Sequence, residues 1–283
     1  MASGEDHVDF GVTTSGGPCQ KAELDTIAQT VGSRPRYLLW FEDFGAAPPM
    51  QKVAAAAEQG AIPMITWEPW TRPERGSAVM RRLANGALDE YVHDWAAELK
   101  NCAHRICLRF AHEFNGDWYP WSPAGGTAAT DHVAAWRHVH SIFTDGGAAN
   151  VDWVWCVDAQ IKRRAPISDW YPGDEYVDHL AVDGFNWGHC PGRTHWRQPE
   201  EVFGSALSAL GDLAAKPLMV TEVACAESGG DKAKWIGDLI SYLDAQPKVT
   251  AFIWFDHRKE RDWRIASTPR SAAAMARGLR RGP

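Results

Sequence analysis

Eight short apolar runs alternate with alanine-rich amphipathic stretches along 283 residues. Several runs begin apolar and finish in polar or aromatic residues, and no Pro/Ser-rich linker or shift in composition divides the chain. Together these observations predict one α/β unit, a (β/α)8 TIM barrel over residues 1–283, with residues 1–6 as a flexible N-terminus.

The strands are read from apolar runs of strand length. They are Val8–Thr13, Tyr37–Phe44, Ile62–Trp67, Ile106–Glu113, Val151–Val157, His179–Asn186, Leu218–Val223 and Ala251–Asp256. Between them, apolar residues at helical spacing predict helices at Lys21–Val31, Met50–Gln59, Gly76–Leu99, Ala128–Phe143, Pro199–Leu213, Lys232–Leu243 and Ser271–Arg280. The link after the fifth strand, around Ile167-Ser-Asp-Trp-Tyr-Pro, shows no long helical pattern and reads as a loop or one short turn. In such barrels the chemistry sits at the C-terminal strand ends. Here those ends read Trp40-Phe-Glu-Asp, Thr66-Trp-Glu-Pro-Trp, His112-Glu, Asp183-Gly-Phe-Asn-Trp, Thr221-Glu and Trp254-Phe-Asp.

Composition excludes several functions. A net charge of −7, with no basic cluster before the C-terminal tail, argues against a nucleic-acid partner. No apolar stretch approaches the length of about 18 residues that spans a membrane. A monomer is expected. The opening Met1-Ala2-Ser3-Gly4 looks like an expression-vector start, from which an export signal could have been removed, so the compartment stays open between secreted and cytoplasmic. The six cysteines show no CxxC pair, and Cys107 and Cys156 fall inside strands as small buried groups. No metal or other cofactor is expected. The first strand has no histidine, His189, Cys190 and His195 match no zinc spacing, and His132, His138 and His140 read as surface residues of a helix.

Tryptophan is the compositional outlier, with 15 residues, several of them at strand ends. Indole faces beside carboxylic acids suit sugars, because flat rings stack on the C–H faces of pyranoses while an acid protonates a glycosidic oxygen. The stretch Arg109-Phe-Ala-His-Glu-Phe-Asn-Gly-Asp-Trp-Tyr-Pro-Trp121 carries both, and Glu222, closing the apolar run Leu218-Met-Val, supplies a second carboxylate. A carboxylate ending a buried strand is costly unless paired or working. Glu113 and Glu222 are three βα units apart and face each other across the predicted barrel mouth.

Three segments resemble glycoside hydrolase family 26, best known for β-mannanases. They are the Arg109–Trp121 stretch, Tyr171-Pro-Gly-Asp-Glu-Tyr-Val-Asp-His-Leu-Ala-Val-Asp-Gly-Phe-Asn-Trp-Gly188, and Lys216-Pro-Leu-Met-Val-Thr-Glu-Val-Ala-Cys-Ala-Glu. The likeness runs from about Val8 to Trp263. It implies the same barrel and a retaining mechanism, with Glu113 as acid/base and Glu222 as nucleophile. Phe185 departs from the family's usual Tyr, whose hydroxyl is expected to hydrogen-bond the nucleophile. Arg109 or His112 is the expected substitute donor and orienting residue. Phe114 stands where Met is common and is tolerated as another apolar packer.

Trp67, Glu68, Asn115, Trp118, Trp121, Asp183, Trp187 and Trp254 are the candidate substrate-binding residues. Trp187 and Trp254 are expected as the floor under the cleaved sugar. The substrate expected is a β-linked polysaccharide or oligosaccharide, and the activity endo-β-1,4-mannanase. Mixed-linkage β-glucan and β-1,3-xylan are the alternatives within the family, and a barrel that binds or remodels a saccharide without hydrolysing it is the alternative outside it.

Overall fold

The computed structural model describes residues 7–70, 78–161, 166–190 and 195–280. The expected flexible N-terminus, the start of the helix read from Gly76, and most of the stretch between Cys190 and His195 lie outside these residues.

Eight parallel strands close into a barrel in sequence order, β1 pairing with β8. They are β1 Asp9–Thr14, β2 Tyr37–Asp43, β3 Ile62–Glu68, β4 Ile106–Phe110, β5 Val151–Asp158, β6 His179–Asn186, β7 Leu218–Cys225 and β8 Val249–Asp256. The helices are α1 Lys21–Val31, α2 Met50–Glu58, α3 Ala78–Ala84, α4 Asp89–Lys100, α5 Ala129–Asp145, α6 Pro199–Leu213, α7 Lys232–Asp244 and α8 Pro269–Leu279. No described helix is long and apolar enough to cross a membrane.

The helix read from Gly76 to Leu99 is two. Asn85-Gly86 stops the first: Gly86 takes φ +77° and its N–H bonds back to Leu83 O, the left-handed close that favours glycine. Among the described residues between β5 and β6 there are short 3-10 turns alone, at Ile167–Trp170 and Asp174–Tyr176, as the sequence implied.

Two apolar layers follow from strand alternation. Inside the barrel, Leu39, Met64, Cys107, Val154, Cys156, Ala181, Met219, Ala251 and Ile253 fill the axis. Alternate residues face the helices and join the larger outer core. Gly11 lets β1 close against its neighbours, because a Cβ there would come within 2.8 Å of both Ile253 and Tyr37.

Two irregularities shape the C-terminal mouth. β4 ends at Phe110, short of the expected Glu113, because Ala111 and Glu113 adopt φ +44° and +50°. The chain keeps single bonds to both neighbours while it turns, Ala111 N to Trp67 O and Glu113 N to Cys156 O. In β7 the pairing steps from Val182↔Val220 to Asp183↔Glu222, so Thr221 is an extra residue in the ladder. This bulge brings consecutive residues toward the barrel axis, which strict alternation would forbid.

His132 corrects the sequence reading. It is fully buried on α5, against Phe114, Trp136 and Trp170, and neither ring nitrogen has a hydrogen-bond partner. Burial pushes its pKa down to about 3. The unfolded chain therefore binds a proton that the folded chain refuses as pH falls from about 6.5 toward 3, and stability must fall with it, by about 1.4 kcal/mol per unit at most. Urea unfolding between pH 7 and 4 should show a smaller loss in His132→Leu than in the parent.

Candidate active site

The site begins below the mouth, on the barrel axis. Arg109 points inward from β4 and is wholly buried. Its guanidinium bonds Asp183 on β6 and donates from Nη2 to Glu222 Oε1 on β7 at 2.5 Å. Nε donates to Thr66 Oγ1 at 2.9 Å, and the guanidinium lies 5.7 Å from the centre of the Phe41 ring. Thr221 Oγ1 in turn donates to Asp183 Oδ1 at 2.6 Å. One cation thus holds a fully buried carboxylate, Asp183, and a second, Glu222, that edges the cleft, which ion pairing and hydrogen bonding make tolerable. Of the two donors expected to replace the missing Tyr hydroxyl, Arg109 reaches Glu222, while His112 Nε2 pairs with the Tyr119 hydroxyl at 3.1 Å.

Glu113 reaches the same cleft from the left-handed turn after β4. Trp118 Nε1 donates to its Oε2 at 2.8 Å. Gly116 is required here, since a Cβ would come within 2.6 Å of the Trp118 ring. Burial pushes the Glu113 carboxyl well above the ordinary range, and the nearby charges of Asp183, Glu222 and Asp158 push the same way. Burial also raises Glu222, but there the Arg109 guanidinium acts directly against the rise. Glu222 is held at about 7, while Glu113, with no direct cation, lies well above the ordinary range, so Glu222 is the first of the two to ionise as pH rises. His112, buried and near Arg109, is held well below its usual pKa and is neutral.

Above these groups lies a cleft of about 550 Å³. Glu68, Glu113 and Glu222 reach it, with Trp118, Tyr119, Phe185, Trp187 and Trp263 as aromatic walls. Phe185 packs among Phe255, Trp187 and Trp263, an apolar face where a Tyr would have placed a hydroxyl. Burial and the neighbouring Asp43 push Glu68 up to about 7. Trp118, 46 % exposed, stands at the rim.

Five of the expected sugar-binding residues do not line this cleft. Trp67 and Trp254 face outward, Trp67 stacked on Trp95 of α4 and Trp254 beside Trp235 of α7, because each sits between inward-facing neighbours on its strand. Trp121 is buried under Tyr119 at 4.3 Å, its Nε1 donating to His112 O. Asp183 lies below the cleft floor on Arg109. Asn115 turns its carboxamide to the backbone of Asp158. Conversely, Tyr119, Trp263, Asp158, His257 and Lys259 line the cleft without having been selected from the sequence. Tyr119 lay inside the quoted motif, and Trp263 lies in the loop after β8, a position that barrel geometry alone makes a candidate.

Among the described residues two groups bring metal-ligating atoms within 4.8 Å of one another: His112, Asp183 and Glu222, and at the opposite end Cys107, Asp152 and His179. In each an arginine already occupies the carboxylates, Arg109 in the first and Arg105 on Asp152 in the second.

An aromatic-walled cleft with unequal paired carboxyls, at the C-terminal mouth of a barrel, suits the breaking of glycosidic bonds, and comparison with known proteins agrees. The chain belongs to glycosyl hydrolase family 26, whose family model matches residues 74–226. Over 269 residues, 93% of its length, it is 36% identical to Endoglucanase H of Acetivibrio thermocellus, of which it spans 28%. It is 29% identical over 105 residues to a mannan endo-1,4-beta-mannosidase of Bacillus subtilis, a match covering 35% of this chain and 28% of that protein. Its fold matches a family 26 β-mannanase from Bacteroides ovatus with a TM-score of 0.73 at 16% identity, covering 98% of this chain and 89% of the other. A Bacillus subtilis mannanase matches with a TM-score of 0.69 at 19% identity, over 95% and 84% of the two chains.

Arg109→Met should cost several kcal/mol, about 3–5, because it strands two buried carboxylates. Adding Asp183→Asn should restore part of that stability, measured by chemical denaturation. Among the tryptophans, Trp254→Phe should lower Tm and leave KM unchanged. Trp187→Ala and Trp263→Ala should raise KM several-fold with smaller effects on Tm.

Proposed function

We propose that this chain is one catalytic unit, a retaining endo-β-glycanase that cuts β-1,4-mannan or glucomannan chains. The observation that carries the reading is the unequal pairing of the two carboxyls. Glu222 lies directly on Arg109, whereas Glu113, buried and surrounded by negative charge, keeps its proton. A retaining glycosidase needs this division between a charged nucleophile and a neutral acid.

Glu222 attacks the anomeric carbon as Glu113 passes its proton to the departing glycosidic oxygen, leaving a glycosyl ester on Glu222. Water then attacks the same carbon, Glu113 takes its proton, and the sugar leaves with its β configuration while Glu222 is restored as carboxylate. The aromatic walls offer stacking faces along the cleft. Relatives named as mannan endo-1,4-beta-mannosidases support mannan as substrate. A second reading, β-glucan, is favoured by the 36% identity to an endoglucanase along 93% of this chain.

Hydrolysis of manno- and gluco-oligosaccharide panels, with products followed by NMR, tests the reading. The β-anomer should appear first from a manno-oligosaccharide, and Glu222→Ala should abolish it. Turnover confined to gluco-oligosaccharides would select the second reading. Binding without turnover on any member would overturn hydrolysis.

The pH profile should be a bell. Activity falls on the acid side as Glu222 gains a proton and on the alkaline side as Glu113 loses one, so the alkaline limb lies above the ordinary carboxylic acid range. On a dinitrophenyl glycoside, whose leaving group needs no proton, Glu113→Ala should lose the alkaline limb and keep the acid one.

A further inference from the structure

Asn115 was expected to hold sugar, and the structure gives its side chain other work. Its Nδ2 donates to Asp158 O at 2.8 Å, and its Oδ1 accepts from Asp158 N at 2.8 Å. Both ends of the carboxamide are therefore joined to one residue's backbone, at the last position of β5. A side chain that pairs in this way takes the place of a neighbouring strand, in a region where β4 has already left the ladder.

What Asn115 holds is the turn that carries Glu113. Ala111 and Glu113 are the only non-glycine residues with positive φ among those described, and they lie two residues apart, on either side of His112. Such backbone is strained for residues other than glycine and persists only when its surroundings over-determine it. Gly116 N closes the turn on Glu113 O at 2.9 Å. Glu113 N is tied to β5 through Cys156 O, and Asn115 adds the second tie to the same strand, two residues further along. Glu113 is thus fixed on its two sides to one rigid strand, its carboxyl at a set depth below the cleft surface.

Depth matters because burial is the largest cause of the raised Glu113 pKa. We infer that Asn115 is a positioning residue for the acid: its paired bonds to Asp158 fix the left-handed Glu113 turn, and so set the reach of the Glu113 carboxyl into the cleft. The inference rests on the proposed role of Glu113 as acid/base.

The test compares Asn115→Ala and wild type on two substrates with the same sugar, a polysaccharide and a dinitrophenyl oligosaccharide. The first needs a proton from the acid and the second does not. General-acid assistance contributes about 10²–10⁴-fold, so partial loss of placement should lower kcat on polysaccharide by roughly tenfold or more. KM on polysaccharide and kcat/KM on the dinitrophenyl substrate should both stay within about twofold, and the alkaline limb should move to lower pH as the freed carboxyl meets water. Asn115→Asp keeps the acceptor for Asp158 N–H and loses the donor, so it should fall between the two, and it guards against a variant that does not fold.

An equal loss on both substrates would overturn the inference, since a sugar contact or a general loosening of the cleft acts on both. So would a raised KM with kcat intact, or an unmoved alkaline limb. Glu113→Ala on the same two substrates separates the two levels of the argument. If it shows no preference for the activated substrate, Glu113 is not the acid and the underlying reading fails, whereas selectivity in Glu113→Ala without selectivity in Asn115→Ala refutes only the role of Asn115.

Discussion

A single buried guanidinium organises this active site. Arg109 enters the barrel axis from β4 and neutralises Asp183 from β6 and Glu222 from β7 at once. Two carboxylates this close and this buried repel each other without a cation, so the geometry of β6 and β7 at the mouth depends on a residue from β4. The Thr221 bulge serves the same constraint: the register step lets Thr221 bond Asp183 while Glu222, the next residue, meets both Arg109 and the cleft. Charge then divides the work. Arg109 opposes the rise that burial imposes on Glu222, and Glu113, left without a direct cation, is held further above the ordinary carboxylic acid range.

The remainder of the mouth is built to keep Glu113 where that division places it. The turn after β4 uses a backbone conformation that alanine and glutamate seldom adopt, tied to β3 through Trp67 O and to β5 through Cys156 O and Asp158. Trp118 closes over the turn and donates to the Glu113 carboxyl. Tyr119 bridges from His112 to the cleft, with Trp121 stacked behind it. The aromatic density of the motif is thus divided between cleft-lining walls and the support behind them.

Much of this was legible in the sequence. Apolar runs gave the strand positions to within a residue or two at most ends, because a buried parallel strand has few polar residues. Glu113 and Glu222 stood out because a carboxylate at the end of such a run is conspicuous. What failed was direction. Trp67 and Trp254 lie at strand ends as expected, yet strand alternation turns them outward, and counting from the inward-facing Glu68 and Ile253 would have shown it. The bulge in β7 and the positive φ of Ala111 and Glu113 break that alternation, and no local residue type announces them. Asn115 read as a sugar ligand because its chemistry suits one; only the position of Asp158, 43 residues away, reveals its use. His132 looked like a surface residue because polarity in a helix usually is.

The proposed double displacement passes through a glycosyl ester on Glu222 while Glu113 supplies the proton. Trapping tests it most directly, with an activated 2-deoxy-2-fluoro manno- or gluco-oligosaccharide, in which the fluorine slows release of the sugar from the enzyme. The protein should gain the mass of one glycosyl group, and peptide mapping should place it on Glu222, with none in Glu222→Ala. Labelling at Glu113 or Glu68, or turnover of the natural oligosaccharide to the α-anomer with no adduct, would contradict the account.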